Sequence, residues 1–251
     1  MTLTLTLREQ PAVALETEGL CPDRLAGASR DEIEGLTVWH GNERTRLDEF
    51  FAVSGSGDDV RIEGDLRRVR YVGAGMASGR LTVAGDVGDH FGAGMRGGSL
   101  EVEGDAGDWA GAAMRGGTLV VRGSAGSRLG GVHSGERAGM RGGEIVVFGD
   151  AGERAGEAAG LRMLAGTIVA VGGLGARAGA GMRRGSIVTM APATPLSTFV
   201  FSCLYRPPFL RLYVRRLREL GLDVSGDGRY ARWCGDGLEL RRGEILIREV
   251  Q

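Results

Sequence analysis

The chain is predicted to be mainly β: a right-handed parallel β-helix of about six rungs of ~19 residues, between an N-terminal cap and a C-terminal α/β tail. Three observations predict it. Units of about 19 residues recur in tandem between residues 60 and 190. Glycine makes up 46 of the 251 residues, more than twice the usual level of about 7%. Each unit opens on a short run of β-branched or aliphatic residues that a glycine closes.

The units align directly. "LTVAGDVGDHFGAGMRGGS" (81–99) and "LEVEGDAGDWAGAAMRGGT" (100–118) match position by position. A third begins "LVVRGSAGSRLGG" (119–131) and resumes at "AGMRGGE" (138–144) after an insertion, "VHSGERA". The fourth, 145–167, is four residues longer, and the fifth, 168–186, returns to the common length. A degenerate copy occupies 60–80, and "IVTM" (187–190) begins a seventh strand. Gly64, Gly85, Gly104, Gly123, Gly149 and Gly172 close the strands, and Met76, Met95, Met114, Met140, Met163 and Met182 mark the following segment. Length varies only between these landmarks, as it does in stacked repeats.

Within each strand the two-residue alternation assigns faces. Leu81 and Val83, Leu100 and Val102, Leu119 and Val121, Ile145 and Val147 point inward, while Thr82, Glu101, Val120, Val146 and Val169 point outward. A helical reading fails, because every unit carries several glycines and each costs about 1 kcal/mol in a helix interior relative to alanine. A collagen-like reading fails for want of a G-X-Y period.

Three segments are expected: a cap (1–56), the repeat body (57–190) and a C-terminal region (191–251). "TLTLTL" reads as a strand, and Trp39, Phe50 and Phe51 are expected to pack over the first rung. After the prolines of "APATPLSTFVFSCLYRPP", Leu210, Val214 and Leu217 fall at helical spacing in 209–221, with Gly221 as the stop. "RYARWCGD" and "GEILIREV" read as two closing strands. The outward valines Val120, Val146, Val169 and Val188 form an apolar stripe, which the C-terminal helix and a partner subunit are expected to cover together.

Composition narrows the function. Net charge is −1, which speaks against nucleic acid and membrane partners. All 31 basic residues are arginine, as fits a GC-rich genome. Three scattered cysteines (Cys21, Cys203, Cys234) and three separate histidines form no metal-ligand spacing and fit a cytoplasmic setting. The N-terminus lacks the features of a signal peptide, and no run reaches the ~20 apolar residues of a membrane span.

"GAGMRGG" (92–98) spells G-x-G-x-x-G, but a strand follows it where a dinucleotide site needs a helix. It returns once per unit as "GAAMRGG", "RAGMRGG" and "GAGMRRG", so it is a repeat landmark.

The repeated "GD.G…GAGMRGG" pattern, the segment "LTVWHGNERTRLDEFFAVSG" and the ending "RYARWCGDGLELRRGEILI" resemble the C subunit of formylmethanofuran dehydrogenase and of its bacterial relative, the formyltransferase/hydrolase complex. The ending carries the most specific part, on Arg229, Tyr230, Gly235, Asp236, Arg242, Gly243, Glu244 and Ile245. The repeat alone is shared with the β-helix of the glutamate synthase large chain. The resemblance implies a non-catalytic structural subunit working with amidohydrolase-like and formyltransferase subunits. The bacterial complex moves a formyl group between tetrahydromethanopterin and methanofuran (methylofuran) and releases formate; the archaeal one is a molybdenum or tungsten dehydrogenase. The arginine usage favours the bacterial version. The alternatives are the archaeal C subunit and a stand-alone glutamate-synthase-type interaction module. A left-handed hexapeptide-repeat acyltransferase would need a period of about 18 residues.

No catalytic set and no metal site emerges from spacing. His133 and Glu136 lie in the insertion, and His90 aligns with Trp109 and Arg128 as a variable outward position. The arginines after the methionines, Arg96, Arg115, Arg141 and Arg183, occupy equivalent places and form a candidate cofactor-binding ladder for a polyanion. A poly-glutamyl tail on the furan cofactor is such a polyanion. Asp65, Asp86, Asp105 and Asp150 recur beside them, and pairing with the arginines or with corner backbone is the competing expectation.

Overall fold

The structure of the protein, a computed structural model, describes residues 2–133, 135–151, 159–221 and 228–249. Residues 2–55 supply β1 (Thr2–Leu7), β2 (Leu15–Glu16), β3 (Thr37–His40), β4 (Glu43–Arg46) and β5 (Phe51–Gly55), with two short helices, α1 (Pro22–Leu25) and α2 (Arg30–Glu34). The repeats supply β6 (Asp59–Glu63), β7 (Val69–Arg70), β8 (Arg80–Ala84), β9 (Ser99–Val102), β10 (Thr118–Val121), β11 (Arg141–Val147), β12 (Ala165–Ala170) and β13 (Arg184–Thr189). The C-terminal part holds β14 (Val200–Tyr205), α3 (Leu210–Glu219), β15 (Tyr230–Gly235) and β16 (Arg242–Arg248).

The fold is mainly β, with few helices. Twelve strands form one open sheet in the order β14-β15-β16-β13-β12-β11-β10-β9-β8-β6-β1-β5, and four form a smaller sheet, β4-β3-β2-β7. From β6 to β13 the pairing is parallel, so equivalent residues of successive units stand side by side, as in Leu81↔Leu100↔Leu119↔Ile145↔Ile168↔Ile187. Two further ladders join the same units. One is the bridge series Leu66↔Val87↔Ala106↔Ala125↔Ala151↔Leu174. The other is a series of turns in which Gly92 N–H donates to Val72 (2.9 Å), Gly111 to Phe91 (2.7 Å), Gly130 to Ala110 (2.8 Å) and Gly160 to Leu129 (2.8 Å).

The residues predicted to face inward are buried, and so are all six landmark methionines. They belong to one apolar cluster that runs from Leu3 to Ile247. Each methionine supports the glycine of the next unit: a Cβ on Gly98, at φ +80°, would lie 2.7 Å from Met76 Cε and 2.8 Å from the Gly79 carbonyl oxygen. Gly104 is held by space instead, since its Cβ would lie 2.8 Å from the Gly85 backbone. The extra length of the fourth unit falls on 152–158, outside the described residues.

Both ends extend the large sheet. β1 pairs in parallel with β6, Leu5 beside Ile62, and then antiparallel with β5. β16 takes the place after β13, with Ile245 beside Ile187 and Leu246 beside Val188. Met182 lies under Gly243 as Met76 lies under Gly98, so "RRGEILI" continues the unit pattern after a long detour. Phe51 is buried and Phe50 packs against the core, but Trp39 does not join them. Alternation along β3 turns Val38 inward and Trp39 out, where Arg44 lies 4.7 Å over its ring.

The outward valine stripe is covered by the chain itself. Val146, Val169 and Val188 form a second core with Leu210, Val214 and Leu217 of α3 and with Tyr230 and Leu246. The i, i+4, i+7 spacing of the three α3 residues makes one apolar face for that stripe. Arg122 ties down the far end of the helix by donating to the Leu220 carbonyl at 2.8 Å.

Candidate functional site

Three columns of side chains run across the units, because the parallel register places equivalent positions side by side. The first holds the arginines after the methionines. The backbone N–H of Arg96 donates to Met76, Arg115 to Met95, Arg141 to Met114 and Arg183 to Met163, each at 2.7–2.8 Å. This puts the four in one line, interrupted at Leu164, whose N–H donates to Met140. All four side chains are exposed. They are not equivalent in charge environment. Arg141 pairs with Glu136 at 2.9 Å and Arg183 with Glu239 at 2.9 Å. Arg96 and Arg115 have no ion pair among the described residues. Beside the Leu164 gap, Arg137, Arg162, Arg183 and Glu239 line a cleft of about 580 Å³. Arg137 and Arg162 enter it from outside the repeat landmarks, so the alignment of the units gives no sign of them.

The second column is acidic, and it does not pair with the first. Asp86 Oδ1 accepts the N–H of Asp105 at 2.9 Å, and Asp105 Oδ1 accepts that of Ser124 at 2.7 Å. Asp150 accepts from Gly173 in the same way. A parallel series, which the landmarks do not reveal, runs Asp89 to Asp108 to Ser127 at 3.0 and 2.8 Å. These aspartates satisfy backbone donors of the next unit at corners where the strand ladder stops. Asp65, at the beginning of the row, pairs with Arg67, whose hydrogen bonds hold its carboxyl well below the usual range.

The third column is aromatic. Tyr71 stacks on His90 with centroids 4.5 Å apart, His90 stacks on Trp109 at 5.1 Å, and the Arg128 guanidinium lies 4.8 Å over Trp109. All four hold φ between 59° and 63°, the left-handed conformation that turns their side chains out together. His133 of the insertion packs against His90 at 4.9 Å. Burial first, and then the neighbouring His133, push the His90 imidazole towards its neutral form. His90 is thus part of a stacked row. Tyr71 escapes a reading of the sequence because it lies in the degenerate unit. Within the insertion, Ser134 lies outside the described residues.

Asp236 of the closing motif is buried beside the end of the arginine line and accepts from the N–H groups of Gly181 (2.9 Å) and Leu238 (3.0 Å). Burial raises its pKa, but these hydrogen bonds outweigh burial and hold the carboxyl below its ordinary range. Glu244 accepts from Ser186 at 2.7 Å and from Arg232 at 2.7 Å. These residues of the ending therefore lock the last strand into register. Among the described residues, no group of three or more His, Cys, Asp or Glu is placed to hold a metal ion. No helix among them is long and apolar enough to cross a membrane.

No family model matches the chain. The C subunit of the tungsten-containing formylmethanofuran dehydrogenase 2 of Methanothermobacter thermautotrophicus is 41% identical over 91 residues, covering 34% of either chain. The C subunit of the molybdenum-containing formylmethanofuran dehydrogenase 1 of Methanosarcina barkeri is 37% identical over 84 residues, covering 31% of this chain and 28% of that one. The chain thus matches about a third of the length of these curated relatives. A solved structure is similar over the whole chain: a chain of the formyltransferase/hydrolase complex (FhcABCD) of Methylorubrum extorquens, determined with methylofuran. It is 31% identical, with a TM-score of 0.81, covering 98% of this chain and 100% of that one.

Proposed function

Because the chain belongs to the family of formylmethanofuran dehydrogenase C subunits and their counterpart in the formyltransferase/hydrolase complex, we propose that it is the non-catalytic structural subunit of such a complex. The reading is carried by the whole-length likeness to a chain of the bacterial complex. In it, amidohydrolase-like and formyltransferase partners move the formyl group between tetrahydromethanopterin and methylofuran and release formate in the cytoplasm. The repeats are coils of a right-handed parallel β-helix spanning 57–190, with 1–56 as cap and 191–251 as C-terminal unit. The parallel strand ladder, the bridge series and the turn series, all linking the same units, support this coil reading. The test is omission. The partners purified with the chain should release formate from formyl-methylofuran, and the chain alone should not. Turnover by the chain alone, or an intact active complex without it, would overturn the reading.

Arg96, Arg115, Arg141 and Arg183 form the polyanion ladder of this proposal, with the poly-glutamyl tail of the furan cofactor as its ligand. The absence of ion pairs at Arg96 and Arg115 among the described residues makes these two its centre, because guanidinium forks grip carboxylates. Reversing both to Glu should raise the KM for the poly-glutamylated cofactor and flatten its salt dependence. Unchanged turnover and salt response would remove the ladder from the account.

A further inference from the structure

The unit over 145–167 departs from its neighbours on both sides of Met163. Leu164 stands where four other units carry the ladder arginine. Arg162 stands where Gly75, Gly94 and Gly181 hold left-handed backbone, and it keeps that conformation itself, at φ +54°. A residue with a Cβ is disfavoured there, so this guanidinium is held in place against a local penalty. The next unit makes room for it, because a Cβ on Gly181 would lie 3.3 Å from Arg162 Cγ.

Two further guanidinium groups meet it. The insertion of the third unit, tied down by Glu136 on Arg141 at 2.9 Å, delivers Arg137, and the ladder supplies Arg183. With Glu239 they line the cleft of about 580 Å³ beside Leu164, so three guanidinium groups against one carboxylate leave an excess of two positive charges. Glu239 engages Arg183 at 2.9 Å, and its own N–H donates to the Asp236 carbonyl at 3.1 Å. Arg137 and Arg162 have no ion pair and no side-chain hydrogen bond among the described residues.

The donors select the kind of anion. A phosphate seat is built from converging backbone N–H groups, and here those groups are already used. Arg162 donates to Ala180, Leu164 to Met140 and Arg183 to Met163, at 2.8–2.9 Å, and Gly181 donates to the Asp236 carboxylate at 2.9 Å. What is left is two guanidinium forks on separate elements, each matched in shape to a planar carboxylate. We propose that this cleft seats two carboxylates of one polycarboxylate chain, on Arg137 and Arg162, and so carries the arginine line across the gap at Leu164. This rests on the polyanion reading of that line and adds two residues to it.

A fluorescein-labelled hexaglutamate peptide, titrated into the purified chain at fixed ionic strength and followed by anisotropy, is the probe. The double variant Arg137→Gln, Arg162→Gln should bind it about tenfold or more weakly, as loss of charge-assisted contacts does. Arg162→Gly restores the residue of the neighbouring units. It should bind about fivefold more weakly with a Tm equal to the parent's or higher, a combination that misfolding does not produce. Unchanged affinity in both variants would overturn the cleft, and the ladder then stands or falls separately on Arg96→Gln, Arg115→Gln. No binding of hexaglutamate by the parent chain would overturn both. Inorganic phosphate that displaces the labelled peptide as well as unlabelled hexaglutamate does, at equal ionic strength, would make phosphate the ligand and overturn the carboxylate seat.

Discussion

The two edges of the large sheet are built alike and finished differently. At each end the parallel series gives way to antiparallel pairing, β5 on β1 at one end, and β15 on β16 followed by β14 on β15 at the other. At the β5 edge the chain completes itself. Phe51 and Val53 are buried, and α2, held by the Ser29–Glu32 capping box, packs alongside. At the β14 edge no described residue does this, and the apolar side chains face solvent. A stack of repeats needs both of its ends capped. The β5 edge is covered in cis, and the β14 edge stays uncovered among the described residues.

The largest effect that sharpens this comparison is a matched pair. Phe51→Ala, at a position with 0% exposure, should cost about 3–5 kcal/mol in urea unfolding of the isolated chain. Phe201→Ala, on the other edge, should change it by no more than about 0.5 kcal/mol. Equal costs would mean that β14 is buried in the free chain. A lesion between the edges comes next. Gly98→Val would push a side chain into Met76 and the Gly79 carbonyl at positive φ, and should cost about 3 kcal/mol or more. Gly94→Ala, with nothing within 4 Å of its Cβ, should cost only about 1–2 kcal/mol, since Ala113 and Arg162 already hold positive φ at that place.

Asp105→Ala removes the acceptor of the Ser124 N–H and should cost about 1–2 kcal/mol, measured as a drop in denaturation midpoint. The smallest effect lies beneath α3. Burial raises the pKa of Glu144, partly offset by Arg216. The folded chain therefore holds this proton more tightly than the unfolded one, and stability falls as pH rises from the ordinary carboxylate range through the folded value. Glu144→Gln should gain on the order of 0.5 kcal/mol at neutral pH and nothing in acid, as a pH series of melting curves would show.

Most of the body was legible, because glycine and methionine landmarks recur and period-two alternation assigns faces. The strand register and the buried inward columns follow from those two patterns alone. The ends were less so. "TLTLTL" and "GEILI" read as strands, yet nothing local says that they extend the parallel series, since the partner strands are remote or lack the full landmarks. The aspartate rows were visible as repeats, but their partners are backbone N–H groups, which leave no mark in a sequence. The aromatic column was half visible through His90 and Trp109, and missed at Tyr71, where the unit has drifted. Trp39 was misplaced because aromatic content says nothing about which face of a hairpin a residue takes. The open edge at β14 was unreadable, because "VFSCLY" spells a buried strand as well as an exposed one.

Amide hydrogen exchange across the two edges tests the account most directly. In the isolated chain, the segment over 51–55 should exchange slowly and the segment over 200–205 quickly. Equal protection of both edges in the isolated chain would contradict it.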